Sequence, residues 1–257
     1  MRIVSLCPSI TESLAALGLA ESLAGVTRYC IHPRDALAGV RRVGGTKNPD
    51  LAAIRDLKPD LVFCNSEENR KEDVEELKRE LAVDVSHPRT VAEIPALLRH
   101  FGRLTGTRER AEEISLKVKE ALDRVEQEAE FRFVYLIWKD LWMTVGPRTY
   151  IADLLRHVGG LNAFEEKYAD APDYPVTDED AIVAARPDVL ILPDEPYRFR
   201  ERDAAFWRQR LPASTRVVLV SGDDFCWHGT RTLRGRSGAA RARAGRRGAL
   251  GAIRPDV

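Results

Sequence analysis

Polar and apolar positions along this chain fall into an order that occurs twice. From Asp50 a short amphipathic stretch is followed by a basic residue, a Pro-Asp pair and an apolar run ending at Phe63 (DLAAIRDLKPDLVF). The same order recurs 128 positions later, from Asp178 to Ile191 (DEDAIVAARPDVLI). Each copy reads as a helix, a turn and a β-branched strand. A Val-Gly-Gly precedes each copy, at Val43-Gly44-Gly45 and Val158-Gly159-Gly160. The pattern predicts two lobes of similar construction, with a ligand cleft between them.

Strand-like runs are expected at Arg2–Cys7, Leu23–Cys30, Asp60–Asn65 and Val83–His87 in the first lobe, and at Phe131–Trp138, Asp188–Pro193 and Arg216–Ser221 in the second. Helical stretches separate most of them, which indicates an α/β class with parallel sheets. Ser9 and Glu12 have the spacing of a capping box, so a helix is expected to open there, close at Gly18 and point its N-terminus at the cleft. Ile114, Val118, Leu122, Val125 and Ala129 are spaced by threes and fours. They predict one amphipathic helix between the lobes, some 22 residues and about 33 Å long, acting as a strut. The expected fold is therefore α/β, two similar Rossmann-like lobes joined by one long helix. Its divisions are an N-terminal lobe over 1–105, the linking helix over 106–130, a C-terminal lobe over 131–234 and a tail over 235–257.

Charge changes the picture at the end of the chain. The totals of 40 basic and 40 acidic residues cancel. Eight arginines and one acid, Asp256, lie from Arg231 onward, leaving 32 basic against 39 acidic residues before it. An acidic body argues against a nucleic-acid partner, because phosphate affinity needs clustered Lys and Arg. The tail is rich in Arg, Ala and Gly, lacks a periodic apolar face and is expected to be a disordered extension. A basic arm for nucleic acid and an altered reading frame are the alternatives. No run of about 20 apolar residues is present, so direct membrane insertion is not expected. The start leads directly into a strand, without the basic and apolar regions of a signal peptide. The chain as written is expected to be cytoplasmic, and periplasmic or extracellular if its true start lies upstream.

Catalytic motifs are missing: there is no Walker A loop, G-x-G-x-x-G, G-x-S-x-G or H-E-x-x-H. The chain is therefore expected to be a binding protein, not an enzyme, with no covalently bound cofactor. Cys7, Cys30, Cys64 and Cys226 each fall at or just past a predicted strand end, either as soft-metal ligands or as small buried hydrophobes. His32 and His228 follow predicted strands, one in each lobe, and form the candidate metal pair. Aromatic residues crowd the second half. Trp138, Trp142 and Trp227 stand beside polar neighbours in loop-like segments, where a large flat ligand would account for them. Tyr29 and Trp227 are the aromatics assigned to the ligand.

These residues resemble a known family, the periplasmic substrate-binding proteins whose two lobes are joined by a single helix and which deliver cobalamin, ferric siderophores or haem to ABC importers. The resemblance spans residues 1–233. It rests on Ile3–Glu12 (IVSLCPSITE), Gly25–Tyr29 (GVTRY), Leu57–Val62 (LKPDLV), the linking helix, Tyr150–Leu155 (YIADLL), Gly159–Asn162 (GGLN) and Arg186–Val189 (RPDV). The chain is most similar to the cobalamin-binding branch. The resemblance implies pocket positions at Tyr29 and Asp223, and at Thr46, Asn65 and Trp227, where that branch carries Trp, Trp and Arg. Trp138 completes the ligand-binding set. Permease docking is implied at Glu179 in the second lobe and near Asp50 in the first. The expected ligand is a cobalt or iron chelate, and the expected partners are that small molecule and an ABC permease, on a monomeric protein. The alternative is a cytoplasmic chelatase-like or metal-binding protein using His32, His228 and the cysteines.

Overall fold

The computed structural model describes residues 1–124 and 130–243. They divide into two compact units, Met1–Pro88 with Ala92–Ala121 and Trp227–Thr232, and Arg89–Val91 with Leu122–Cys226 and the residues from Leu233 onward. The first unit contains β1 (Ile3–Ser5), α1 (Pro8–Ala16), β2 (Leu23–Val26), β3 (Arg41–Arg42), α2 (Leu51–Asp56), β4 (Leu61–Asn65), α3 (Lys71–Leu77), β5 (Val83–Ser86), α4 (Ile94–Thr105) and α5 (Arg108–Asp123), whose last two residues fall in the second unit. Its sheet runs β3-β2-β1-β4-β5, every pair parallel. Helices cover both faces of such a sheet, which is why β1 and most of β4 are buried at successive positions and not only at alternate ones. One face of the core gathers Val4, Leu6, Val43, Ile54, Val62, Cys64 and Leu77.

The second unit contains β6 (Phe131–Trp138), β7 (Met143–Thr144), α6 (Tyr150–Arg156), β8 (Gly160–Asn162), α7 (Glu179–Ala184), β9 (Val189–Pro193), α8 (Glu201–Arg208), β10 (Arg216–Val220), α9 (Asp223–Cys226) and α10 (Thr232–Arg243), whose first residue falls in the first unit. The sheet order is β10-β9-β6-β7, with β8 also on β6. β7 is antiparallel and the other pairs are parallel. Its core is aromatic, with Trp207 fully buried, packed with Phe164 and Phe199 and edge-on to Trp142 at 5.0 Å.

The repeated phrase folds the same way in both units. Asp50 caps α2 by accepting from Ala53 N–H at 2.9 Å, and Asp178 caps α7 by accepting from Ala181 N–H at 2.7 Å. Each helix ends at a basic residue with left-handed backbone, Lys58 (φ 45°) or Arg186 (φ 43°). Proline follows, and its ring forbids helix continuation. The Asp after the proline then ties its strand to the central one. Asp60 accepts from Arg2 N–H at 2.6 Å and donates its own N–H to Arg2 O at 2.8 Å, and Asp188 does the same with Arg132 at 2.7 and 2.8 Å. A left-handed non-glycine residue costs roughly 1–2 kcal/mol, partly offset by the roughly 0.5–1 kcal/mol that glycine loses through its freer unfolded chain. Lys58→Gly and Arg186→Gly are each expected to stabilise by about 0.5 kcal/mol, read from the midpoint of urea unfolding.

Several expectations change. The S-x-x-E pattern is not a capping box: α1 begins at Pro8 with Cys7 as N-cap, and Glu12 turns instead to Arg231. Gly18 closes α1 with φ 86° as expected. The linking helix is continuous over Arg108–Asp123, with Ile114, Val118 and Leu122 buried, while Val125 and Ala129 lie outside the described residues. Residues 227–232 group with the first unit and not with a C-terminal lobe. The segment 235–243, expected to be disordered, is helical in α10, and Ala239 and Ala242 are buried. Gly235 is why it packs so closely: a Cβ there would collide with the Asp224 carbonyl and stand 3.0 Å from Leu154 Cδ2. The rest of the tail, 244–257, lies outside the described residues. Among the described residues no helix is long and apolar enough to cross a membrane.

Candidate functional site

The carboxyl ends of β1, β2 and β4 form the end of the first sheet at which parallel α/β folds hold ligands. The loop after β2 carries Tyr29 and Ile31, 53% and 55% exposed, with His32 half-buried beside them. Its backbone is pinned from two sides. Arg42 Nη1 donates to Thr27 O (3.2 Å) and Cys30 O (2.8 Å), and Cys30 Sγ sits 3.1 Å from both Thr11 Oγ1 and Thr27 Oγ1. Trp227 packs edge-on against His32 at 5.8 Å, with the Arg231 guanidinium over its ring at 4.6 Å. The result is an apolar, aromatic ledge on a rigid loop. Arg28 lies 5.4 Å from the Tyr29 ring and donates to Asn48 Oδ1, adding positive charge at its edge.

Behind the ledge runs a buried polar chain. Asn65 Oδ1 accepts from Glu67 N–H and Glu68 N–H, at 2.9 and 3.1 Å, which turns its Nδ2 toward His228 Nε2 at 3.3 Å. An amide nitrogen only donates, so Nε2 is an acceptor and the ring proton is on Nδ1. Ser9 Oγ, 3.1 Å away, then donates to the same nitrogen, and the Cys7 thiol at 3.2 Å donates to Ser9. Burial, with His87 adding like charge, lowers the His228 pKa to about 4, so the ring is neutral at pH 7. Asn69 locks the floor, accepting from Asn65 N–H and donating to Leu6 O and Thr46 O.

His228 and His32 thus share the first unit, contrary to the expectation of one from each lobe, because the chain returns to that unit at Trp227. Among the described residues no three His, Cys, Asp or Glu side chains are placed to hold a metal ion. The cysteines of the first unit match the smaller-hydrophobe alternative. Burial pushes the thiols of Cys7 and Cys30 up, and burial with the charge of Asp84 pushes Cys64 up to about 12. All three are protonated at neutral pH, when a thiolate is the ligating form. Cys226 belongs to the second unit and is half-buried.

The other expected residues are placed as follows. Thr46 and Asn65 are buried, at 6% and 2% exposure, so the two positions expected to present large aromatics present small polar groups instead. In the second unit Trp138, at the end of β6, is 45% exposed and edge-on to Tyr197 at 5.7 Å. Asp223 opens α9 and accepts from Ser221 Oγ at 2.6 Å. Asp50 is exposed, its carboxylate capping α2. Glu179 is half-buried and accepts from Trp142 Nε1 and Arg210 Nε, at 3.3 and 3.2 Å. A cavity of about 500 Å³ in the second unit is lined by Arg89, Pro147, Arg148, Asp153, Arg156 and Asp173 among others, and by none of the expected site residues. Its guanidiniums are already engaged: Arg89 by Asp173, Arg148 by the carbonyls of Ala169 and Ala171, and Arg156 by Pro147 O.

Sequence reasoning missed Arg42, Asn69 and the Glu12–Arg231 pair, because each acts over a separation that local spacing does not encode. Tyr29 is exposed, whereas Trp227, expected in a loop where burial is hard to arrange, is buried at 6% exposure.

Comparison with known proteins gives concordant findings. The sequence profile of a family described as periplasmic binding protein matches residues 3–210. A vitamin B12-binding protein of Pectobacterium carotovorum is 24% identical over 236 residues, covering 90% of this chain and 84% of its own length. Among solved structures, the periplasmic vitamin B12-binding protein BtuF of Vibrio cholerae superposes with a TM-score of 0.82 at 20% identity, over 94% of this chain and 95% of its own. The periplasmic heme-binding protein RhuT of Roseiflexus sp. RS-1 superposes with a TM-score of 0.78 at 20% identity, over 94% and 98%.

Proposed function

The chain belongs to the periplasmic binding protein family, and from that premise we propose that it captures a metal chelate, a cobalt or iron ion inside a large flat organic ligand, and releases it unchanged. The observation that carries this reading is the ledge in the first unit. Tyr29 and Ile31 are large apolar side chains left more than half exposed on a loop that is hydrogen-bonded into place, and Trp227 lies beside it. An exposed aromatic on a hydrogen-bonded support, here Tyr29 with the buried Trp227 packed behind it, suits the face of a macrocycle, since it buries area without first losing conformational freedom. Relatives named for vitamin B12 and for heme supply the class of ligand. The periplasmic relatives support a periplasmic location, and a Bacillus subtilis relative named as an ABC transporter substrate-binding lipoprotein supports an ABC permease as the partner that receives the ligand. In that setting Asp50 is the freer docking group, because Glu179 would have to give up Arg210 to reach a partner.

The ledge is tested by titrating the purified chain with cyanocobalamin and with hemin, following tryptophan fluorescence. One of the two is expected to bind with micromolar or tighter affinity, and Tyr29→Ala to weaken it by about 10–100-fold, or about 1.4–2.8 kcal/mol. An affinity unchanged by Tyr29→Ala would remove the ledge from the site.

A further inference from the structure

Three cations stand around the ledge of the first unit, and among the described residues their side chains donate only to neutral oxygens. Arg28 Nη2 donates to Asn48 Oδ1 at 3.1 Å, Arg42 Nη1 to the carbonyls of Thr27 and Cys30, and the Lys47 ammonium to the carbonyl of Glu67. These bonds fix the side chains and leave their charge uncompensated. The two acids that follow β4 act elsewhere or only in part: Glu67 stands 3.8 Å from His87 Nε2, and Glu68 attracts Lys47. Arg42 is spent on holding the loop, so Arg28 is the cation left over. It is also the one seated on the ledge. Its Cζ lies 5.4 Å from the centre of the Tyr29 ring, and both residues are exposed. Gly45 lies against the same guanidinium: a Cβ there would stand 2.9 Å from Nη2 and 3.3 Å from Nε, and 2.4 Å from the Asn48 Oδ1 that holds it. Glycine therefore makes the room in which Arg28 is laid beside Tyr29.

A guanidinium has five N–H groups, and the protein takes one of these through Asn48, so a fork remains for an outside acceptor. Laid on an aromatic face and held by a hydrogen bond, it is preorganised for a planar carboxylate, which it meets with two parallel charge-assisted bonds. An amide oxygen in the same place gains roughly half as much per bond, and a cationic group is repelled. A flat ligand resting on Tyr29 brings its rim to this guanidinium. We propose that Arg28 receives a carboxylate on the rim of the chelate, so that the first unit selects carboxylate-bearing chelates over those rimmed by neutral amides. The inference rests on the chelate-binding reading above and narrows its ligand class. Porphyrins with propionate arms and ferric complexes of carboxylate siderophores share this chemistry.

The test titrates the full chain with hemin, with hemin dimethyl ester, whose propionates are masked, with ferric rhizoferrin, a carboxylate siderophore complex, and with cyanocobalamin, whose rim is amide. Hemin or ferric rhizoferrin is expected to bind most tightly, and which of them does so separates the porphyrin source from the siderophore source. Arg28→Gln is expected to weaken that chelate by about tenfold, and Arg28→Lys by about threefold, because an ammonium keeps the charge and loses the fork. Arg103→Gln, which removes an exposed cation of α4, is expected to change it by less than about twofold. If hemin is the ligand, its dimethyl ester is expected to bind about tenfold more weakly, and equally well to the wild type and to Arg28→Gln, a pattern that a merely structural role of Arg28 would not produce. Equal affinity for hemin and its ester, weakening of both alike by Arg28→Gln, an affinity for ferric rhizoferrin untouched by that variant, or a preference for cyanocobalamin overturns the carboxylate selection and leaves chelate capture standing. Retention of none of the four overturns both.

Discussion

Glu12→Ala is expected to destabilise the first unit by about 3–5 kcal/mol, the largest single-residue effect on the fold proposed here. Arg231 is 3% exposed, and two of its guanidinium nitrogens meet Glu12, Nε donating to Oε2 at 2.6 Å and Nη2 to Oε1 at 2.7 Å. Removing the carboxylate takes two charge-assisted hydrogen bonds from a guanidinium with little access to water, and their loss accounts for most of the effect. The pair also decides where Trp227–Thr232 packs: Ser13 Oγ accepts from Thr230 N–H, and the Gly229 position, with φ 84°, would drive a Cβ into Ser13 Oγ. The consequence reaches the ledge, since Arg231 lies over the Trp227 ring. Denaturant unfolding of Glu12→Ala, Arg231→Met and the double variant gives the check. The single variants are expected to lose several kcal/mol, and the double variant much less than their sum, because two apolar replacements leave no buried charge. A loss below about 1 kcal/mol in Glu12→Ala would show that the pair behaves as an exposed one.

The second large effect is a loss of stability in mild acid. His228 has its ordinary pKa of 6.5 in the unfolded chain and about 4 in the folded one, where burial and the like charge of His87 oppose protonation. As pH falls from 6.5 toward 4 the unfolded chain takes up a proton that the folded chain refuses, so stability declines by about 1.4 kcal/mol per pH unit, roughly 3 kcal/mol in all. The contribution is complete above pH 6.5 and gone below pH 4. Protonation would also put a donor where Ser9 and Asn65 both donate. Carboxylates titrate in the same range, so the informative quantity is the difference from His228→Gln, whose amide oxygen still accepts but does not titrate. That difference is expected to shrink by roughly 3 kcal/mol between pH 7 and pH 4. A flat difference would mean that His228 is protonated in the folded state at neutral pH or is reached by water.

Legibility in the sequence depended on how far apart the determining residues stand. The repeated phrase was readable because all its parts are local: an Asp cap, a left-handed basic residue, a proline and a strand-tying Asp within eleven positions. β6 was placed at its observed bounds, and β9 and β10 within one residue of theirs, since apolar runs of five to eight residues are strong signals. β3, β7 and β8 were not seen, because two or three residues carry no periodicity. Glu12 misled for a physical reason: Ser, two residues and Glu fit a capping box wherever they occur, and only the fold reveals that Arg231, 219 positions away, claims the carboxylate. The tail misled differently. A search for large apolar residues passes over a helix that packs through Ala239 and Ala242 and a glycine at the closest approach. At the site, the exposure of Tyr29 agreed with its polar neighbours, the burial of Trp227 did not, and the histidine pair was assigned to opposite lobes because the return of the chain to the first unit leaves no trace in spacing.

Equilibrium dialysis of the purified chain against cyanocobalamin, hemin and a ferric hydroxamate siderophore in parallel tests chelate capture most directly. One equivalent of one of them is expected to be retained at micromolar or lower free concentration, with its absorption spectrum unchanged in total after release. Retention of none, or conversion of the bound chelate into a product, would contradict it.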